Sequence, residues 1–133
     1  MSDSFFDSNV ILYLASDTEA KSQHAGQLLK RGGVISVQVL NECTKVLRTK
    51  RAMPWPDIRD FLSELQVRLK VLPLTLDIHQ SGLRLAERYG FSIFDSFIVA
   101  AALTAECDTL WSEDMQHGMT IDGRLRIANP FAA

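Results

Sequence analysis

The sequence predicts an α/β domain built on a parallel sheet with helices covering both faces, and three observations carry that prediction. Short apolar or β-branched runs alternate with longer segments whose apolar residues recur at helical spacing, the order that produces strand-helix-strand units joined by right-handed crossovers. Phe91 to Leu103 is nearly all apolar, as a helix packed on every side would be, yet Asp95 sits at its start. A length of 133 residues, 47% apolar and 23% charged, suits one domain spanning residues 1–133 with a single core, burying roughly two-thirds of its unfolded surface.

Ser4 to Phe6 opens the sheet and stops at Asp7, after which Val10, Ile11, Tyr13 and Leu14 recur as a helix. Thr18 to Arg31 is a second helix, turned inward through Ala25, Leu28 and Leu29 and ended by Gly32-Gly33. Val34 to Ser36 is a β-branched strand, and Gln38 to Thr49 a helix striped by Val39, Leu40, Cys43, Val46 and Leu47. Glu42 borders that stripe, where an ordinary surface pair with Lys45 is the plain expectation. A basic, aromatic connector from Lys50 to Pro56 leads into a helix carrying Ile58, Phe61, Leu62, Leu65 and Leu69; its cations suit either a helix C-terminus or a contact with RNA or a peptide. Val71-Leu72 is a strand ahead of Pro73, Leu76 to Tyr89 an amphipathic helix closed by Gly90, and Asp108 to Trp111 the strand after the apolar helix. Gly118 and Gly123 punctuate a loop before a last strand, Leu125 to Ala128.

A formal charge of −2 offers no global basic field, so a nucleic-acid partner requires local basic residues or a cation. No apolar run reaches the roughly 20 residues that span a bilayer, and Met1 to Phe6 carries Asp3 and no basic residue; neither a membrane span nor a signal peptide is expected, and a cytoplasmic protein is. Cys43 and Cys107 lie in apolar surroundings without Cys-x-x-Cys spacing and read as buried reduced thiols. His24, His79 and His117 are isolated and read as surface or packing groups, His117 alone being close to Asp114 in the chain.

Ligands of such sheets bind beyond the carboxyl ends of the strands. Asp7 follows the first strand and Asp114 a later one, so the two share a rim if those strands are parallel neighbours. Each acid also has a local explanation. Asp7 can cap a helix, with Ser8 and Asn9 as rival caps; Ser92-Ile93-Phe94-Asp95 has capping-box spacing; Asp114 can cap a turn at Met115 to His117. Four unrelated local roles are a less economical account than one shared site.

Phe6-Asp7-Ser8-Asn9-Val10, Asn41-Glu42, Phe94-Asp95-Ser96-Phe97-Ile98-Val99-Ala100-Ala101-Ala102 and Leu110-Trp111-Ser112-Glu113-Asp114 occur in that order, with Asn129-Pro130-Phe131 at the end. This series resembles the motifs of the PIN-domain ribonucleases, and among them the VapC toxins of bacterial toxin-antitoxin pairs. The resemblance implies a three-layer α/β/α sandwich with a central parallel sheet, and a Mg²⁺- or Mn²⁺-dependent endoribonuclease. Asp7, Glu42, Asp95 and Asp114 are then the catalytic acids, with Asp7, Asp95 and Asp114 as metal ligands and Glu42 orienting water or lying just outside the ligands. Such hard cations take oxygen ligands and keep several waters that the reaction can use. Asn9 and Ser112 match supporting polar residues, Ser112 standing where the family usually has Thr. Gln116 stands where many relatives place another acid, which puts a second metal ion in doubt.

The resemblance further implies an RNA substrate, a homodimer, and a cognate VapB-like antitoxin protein whose tail blocks the acidic pocket, with the helices between Val37 and Leu69 as the expected contact. Three other readings remain. An aspartate-based phosphatase with Asp7 as nucleophile calls for a second acid at position 9, which is Asn9. A receiver domain calls for a late strand-end Lys, and no Lys follows Lys70. A non-catalytic RNA- or partner-binding PIN-like module has no need of all four acids.

Overall fold

A computed structural model describes residues 3–132. Its strands are β1 (Ser4–Phe6), β2 (Val34–Ser36), β3 (Lys70–Leu72), β4 (Thr109–Trp111), β5 (Thr120–Ile121) and β6 (Leu125–Ala128). The helices are α1 (Ser8–Ile11), continued by a 3₁₀ turn over Leu12–Ala15, then α2 (Glu19–Lys30), α3 (Val37–Thr49), α4 (Trp55–Arg68), α5 (Leu76–Tyr89) and α6 (Ile93–Thr104). One sheet of order β3-β2-β1-β4-β6-β5 joins the strands. All neighbours pair in parallel except β5 with β6. The chain steps outward from β1 to β2 to β3, then crosses back to β4, so right-handed crossovers put the two sets of helices on opposite faces. The predicted sandwich around a parallel sheet is therefore present.

β1 is central because its phenylalanines, Phe5 and Phe6, are fully buried, as a strand covered on both faces requires. Phe6 stands in register with Trp111, so the residues that follow them, Asp7 and Ser112, leave the sheet side by side. This is the switch point of the sheet, where the chain runs one way from β1 and the other way from β4, and where such folds open a crevice.

The apolar helix is the most buried element. Every residue from Ser96 to Leu103 in α6 is buried, and only its first turn and its last residue, Thr104, reach solvent. It lies against α5, where buried Gly82 lets the Phe97 ring come within reach of the α5 backbone. Ser92 caps α6 by accepting from the Asp95 amide at 3.4 Å. Gly90, at φ 77°, ends α5 in the left-handed conformation.

Local differences from the sequence reading have physical causes. The antiparallel β5 falls inside the stretch read as a loop; Asp122 and Gly123 both adopt positive φ, 52° and 66°, and Arg124 N donates to Ile121 O at 3.0 Å, closing a hairpin. Asp122 then accepts from Arg84 at 2.9 Å and Tyr89 at 3.0 Å, pinning this hairpin to α5. No helical turn forms at Met115 to His117, because Ser112 Oγ takes the Met115 amide at 3.2 Å and holds that segment as a bend. Both cysteines are free and buried, as expected, and burial pushes each thiol up to about 12. Among the described residues, no helix is long and apolar enough to cross a membrane.

Candidate metal centre

Asp7 is the fixed point of the switch-point crevice. It is only 2% exposed, and its backbone amide donates to Trp111 O at 2.9 Å, which extends the β1–β4 pairing by one bond. One carboxylate oxygen, Oδ1, accepts from the Ser8 amide at 2.7 Å; the other, Oδ2, accepts from Ser112 Oγ at 2.8 Å and Asn9 Nδ2 at 3.1 Å. Asp7 does stand at the N-cap of α1, but its bonds reach beyond the cap to a residue 105 positions away. Asn9 has a second tie: its Oδ1 accepts from the Glu113 amide at 3.0 Å. Asn9 and Ser112 thus both hold the Asp7 carboxylate, one from α1 and one from the end of β4.

Glu42 reaches the same crevice from α3. Its oxygens accept from Ser8 Oγ at 2.8 Å and Gln38 Nε2 at 3.0 Å. The surface pair with Lys45 expected from spacing is not formed among the described residues, because the burial of Val39, Cys43 and Leu47 turns this side of α3 toward α1 and brings Glu42 onto Ser8. Ser8 has one hydroxyl proton, and the 2.8 Å bond to Glu42 claims it rather than the 3.4 Å approach to Asp7 Oδ1. Asp7 Oδ1 therefore keeps an unused lone pair.

Asp95 and Asp114 complete the acidic rim. Ser92 supplies one half of a capping box through the Asp95 amide, and no bond from the Ser92 amide back to the Asp95 carboxylate is formed among the described residues. Asp114 is exposed on the bend after β4. The four acids act on one another: burial pushes the Asp7 carboxyl up to about 7 against the Ser112 and Ser8 hydrogen bonds, and the charges of Asp95 and Glu42 push it further. Burial also raises Asp95, opposed by the Ser92 hydroxyl and reinforced by Asp114. No Lys or Arg contributes to either shift.

A Mg²⁺ or Mn²⁺ ion fits the chemistry of this donor set, which is all carboxylate oxygen and lacks a protein cation to offset its charge. No group of three His, Cys, Asp or Glu among the described residues stands close enough to grip an ion directly. Mg²⁺ is commonly bound through one or two carboxylates with water filling its other positions, so Asp7 with one neighbouring acid in direct contact, and the others reached through water, is compatible with such an ion without a closed cage.

The sequence reading missed a clamp behind the crevice. Glu113 accepts from Tyr13 OH at 2.7 Å and pairs with Lys21 at 2.7 Å, and Lys21 also donates to Tyr13 OH at 3.2 Å. Burial alone would raise Glu113, but the Lys21 and Tyr13 bonds outweigh it and hold its carboxyl below the ordinary range. The Lys21 ammonium lies 5.0 Å from the centres of the Tyr13 and Phe131 rings, drawing the C-terminal segment into the same cluster. The clamp fixes the residue that precedes Asp114. In Lys21→Met, the amide hydrogens of residues 113–115 are expected to exchange about tenfold faster, measured by hydrogen exchange; parental rates would mean that Asn9 and Ser112 hold the bend unaided.

The three histidines take packing roles. His24 packs on Phe131, His79 on Phe97, and His117 Nδ1 accepts from the Asn129 amide at 2.8 Å. Much of the basic connector is also structural, with Arg51 donating to Leu12 O and Ala15 O, and Arg48 stacked 4.8 Å over the Trp55 ring.

A buried aspartate at the switch point of a parallel sheet, tied to a hydroxyl on the neighbouring strand, agrees with a family match over residues 4–117: the chain belongs to the PIN domain family. Solved structures share the fold. A toxin-antitoxin complex from Klebsiella pneumoniae matches with a TM-score of 0.73 at 19% identity, covering 98% of this chain and 100% of that one. VapC20 of Mycobacterium tuberculosis, described as a sarcin-ricin loop cleaving toxin, matches with a TM-score of 0.69 at 17% identity over 84% of this chain and 92% of its own. FitAcB from Neisseria gonorrhoeae matches with a TM-score of 0.61 at 18% identity over 98% and 99%. Among curated proteins, no sequence matches significantly.

Proposed function

We propose that this PIN domain is a Mg²⁺- or Mn²⁺-dependent endoribonuclease that hydrolyses RNA phosphodiester bonds, and that it acts as a toxin restrained by a VapB-like antitoxin. The observation that carries the catalytic part is Asp7, buried, repelled by Asp95 and Glu42, held by Ser8, Asn9 and Ser112, and left with no cation beside it. An arrangement that costly to keep ionised is expected where a ligand of opposite charge supplies the missing interaction.

In this reading Asp7, Asp95 and Asp114 hold the ion. When bound, it supplies a lowered pKa for its water and positive charge for the phosphate oxygens. Ser112 and Asn9 keep the Asp7 carboxylate in one orientation, with the spare acceptor capacity of Oδ1 left for the ion. Glu42, steadied by Ser8 and Gln38, orients the attacking water and accepts its proton. The phosphodiester approaches across the exposed first turn of α6, beside Asp95.

Purified protein is expected to cleave single-stranded RNA with Mn²⁺ and to lose that activity by at least about 10³-fold in excess chelator, as follows if the ion lowers the barrier by several kcal/mol. Equal cleavage in chelator would rule out the metal mechanism. A non-catalytic RNA-binding module is the second reading, favoured by the absence of a ready three-residue grip among the described residues. RNA binding without cleavage under any divalent ion would establish it instead.

The toxin assignment draws support from the fold shared with solved toxin-antitoxin complexes. Trp55 and Val67, 46% and 82% exposed on α4, offer apolar contact within the Val37–Leu69 region for an antitoxin or a second copy of the chain. A basic side chain of the antitoxin would satisfy the same acids that take the ion. A small protein encoded beside this one is expected to co-purify with it and to suppress cleavage.

A further inference from the structure

We infer that a groove beside the acidic crevice, flanked by Lys45 and Lys50, binds a backbone phosphate of the RNA strand next to the one being cleaved. This inference rests on the ribonuclease reading. Ser8, Glu42, Lys45, Val46, Thr49 and Lys50 line the groove, whose volume is about 240 Å³. Position 42 is three and four residues before 45 and 46, and these are in turn four residues before 49 and 50, so the five form a continuous stripe along α3 and its C-cap Lys50.

Two features mark this groove as a continuation of the crevice. Ser8 and Glu42 belong to both, joined by their 2.8 Å bond. Glu42 turns toward Ser8 and Gln38, leaving the Lys45 ammonium without an ion-pair partner among the described residues, and Lys50 has none either. The neighbouring arginines are already engaged, Arg48 with Met53 O and Trp55 and Arg51 with Leu12 O and Ala15 O.

Charge then selects the occupant. A strand drawn to four acids by one divalent ion meets repulsion on either side of it, in a protein whose net charge is −2. Two unpaired ammonium groups bordering the crevice offset that repulsion for the phosphate that follows. Flexible lysines holding a backbone phosphate contribute affinity without reading bases.

Anisotropy of a labelled single-stranded RNA in excess chelator, from 50 to 200 mM salt, tests the assignment on the full chain. Lys45→Gln with Lys50→Gln is expected to make the slope of log K against log salt shallower by about 1.4, roughly 0.7 for each lysine withdrawn from the phosphates, and to weaken binding about tenfold or more at 50 mM salt. Lys45→Arg with Lys50→Arg is expected to retain the parental slope, separating charge from folding. Lys30→Gln with Lys70→Gln removes the same charge beside the starts of β2 and β3, on the opposite rim, and is expected to leave the slope unchanged.

A parental slope in the Lys45/Lys50 pair, or an equal loss in the Lys30/Lys70 pair, overturns the inference. So does a poly-glutamate peptide that shows the two-lysine salt dependence when RNA does not, since the groove then serves an acidic protein. Cleavage by the parental protein with Mn²⁺ is read separately: its absence removes the ribonuclease reading, while the salt slopes still decide whether the groove holds RNA phosphate.

Discussion

Asp7→Asn is expected to abolish Mn²⁺-dependent cleavage, by at least about 10³-fold, and at the same time to make the metal-free protein more stable at pH 8. Burial first, then Asp95 and Glu42, raises the folded-state carboxyl from 3.8 to about 7. Between those values the folded state binds more protons than the unfolded state, so stability falls as pH rises through that window and the full penalty is present above it. The gap is worth about 4 kcal/mol if Asp7 is taken alone. Asn still accepts from the Ser8 amide but presents an amide group where Ser112 and Asn9 now donate, so a net gain of about 2 kcal/mol is expected at pH 8. Below about pH 4 the charge penalty is gone and the mismatch with Ser112 and Asn9 remains, so the variant is expected to be less stable than the parent there by about 2 kcal/mol. Urea unfolding in chelator at pH 4 and pH 8 reads both limits. A variant less stable than the parent at pH 8 would show that the hydrogen bonds outweigh the charge. Asp95→Asn is expected to lose cleavage in the same way with a smaller gain in stability, because that residue is only half-buried.

Gly82→Ala is expected to cost about 2 to 3 kcal/mol, the reverse of what the same change does in an exposed helix, where Ala is favoured by about 1 kcal/mol. A methyl group at position 82 would lie 2.3 Å from Phe97 Cδ1 and 2.8 Å from Cε1, well inside contact distance. Relief requires either the ring to leave its rotamer or α6 to lift from α5, and Phe97 is only two residues beyond Asp95. Cleavage should fall along with the unfolding midpoint, and trimming the ring with Phe97→Leu in the Ala variant should recover part of both. An unchanged unfolding midpoint would mean that the seam between α5 and α6 yields freely.

Periodicity and the rim rule make much of this legible. Asp7 and Asp114 can be anticipated on one rim because each follows a strand expected in the same sheet, and the parallel register of Phe6 with Trp111 bears out that those strands are neighbours. The apolar run after Asp95 announces a fully packed helix, and α6 is one. What escapes depends on side-chain direction and on partners far apart in sequence. Glu42 looks like half of a surface pair because spacing along one helix does not reveal that Ser8, 34 positions earlier, sits opposite it. The Glu113–Lys21 clamp joins residues 92 apart, and the spacing of α5 does not show that Phe97 lies on Gly82. The β5–β6 hairpin is different: Asp122-Gly123 is a strong turn signal, and it reads as loop punctuation because the strand before it is only two residues long.

Asn9 spans the crevice with both ends of one amide, its NH₂ toward Asp7 and its oxygen toward the Glu113 amide. That constrains how this chain can diverge. A single nucleotide change converts an Asn codon to an Asp codon, and an aspartate here would create the Asp-x-Asp pattern of the phosphatases. The new carboxylate could still accept from Glu113, but its other oxygen would face Asp7 Oδ2 in a buried setting, like charge against like charge. That first and shortest step therefore carries a like-charge cost for as long as Ser112 holds Asp7 in place and no cation offsets it. One amide side chain gives Asp7 a hydrogen bond at the position where a point mutation would set a second charge against it.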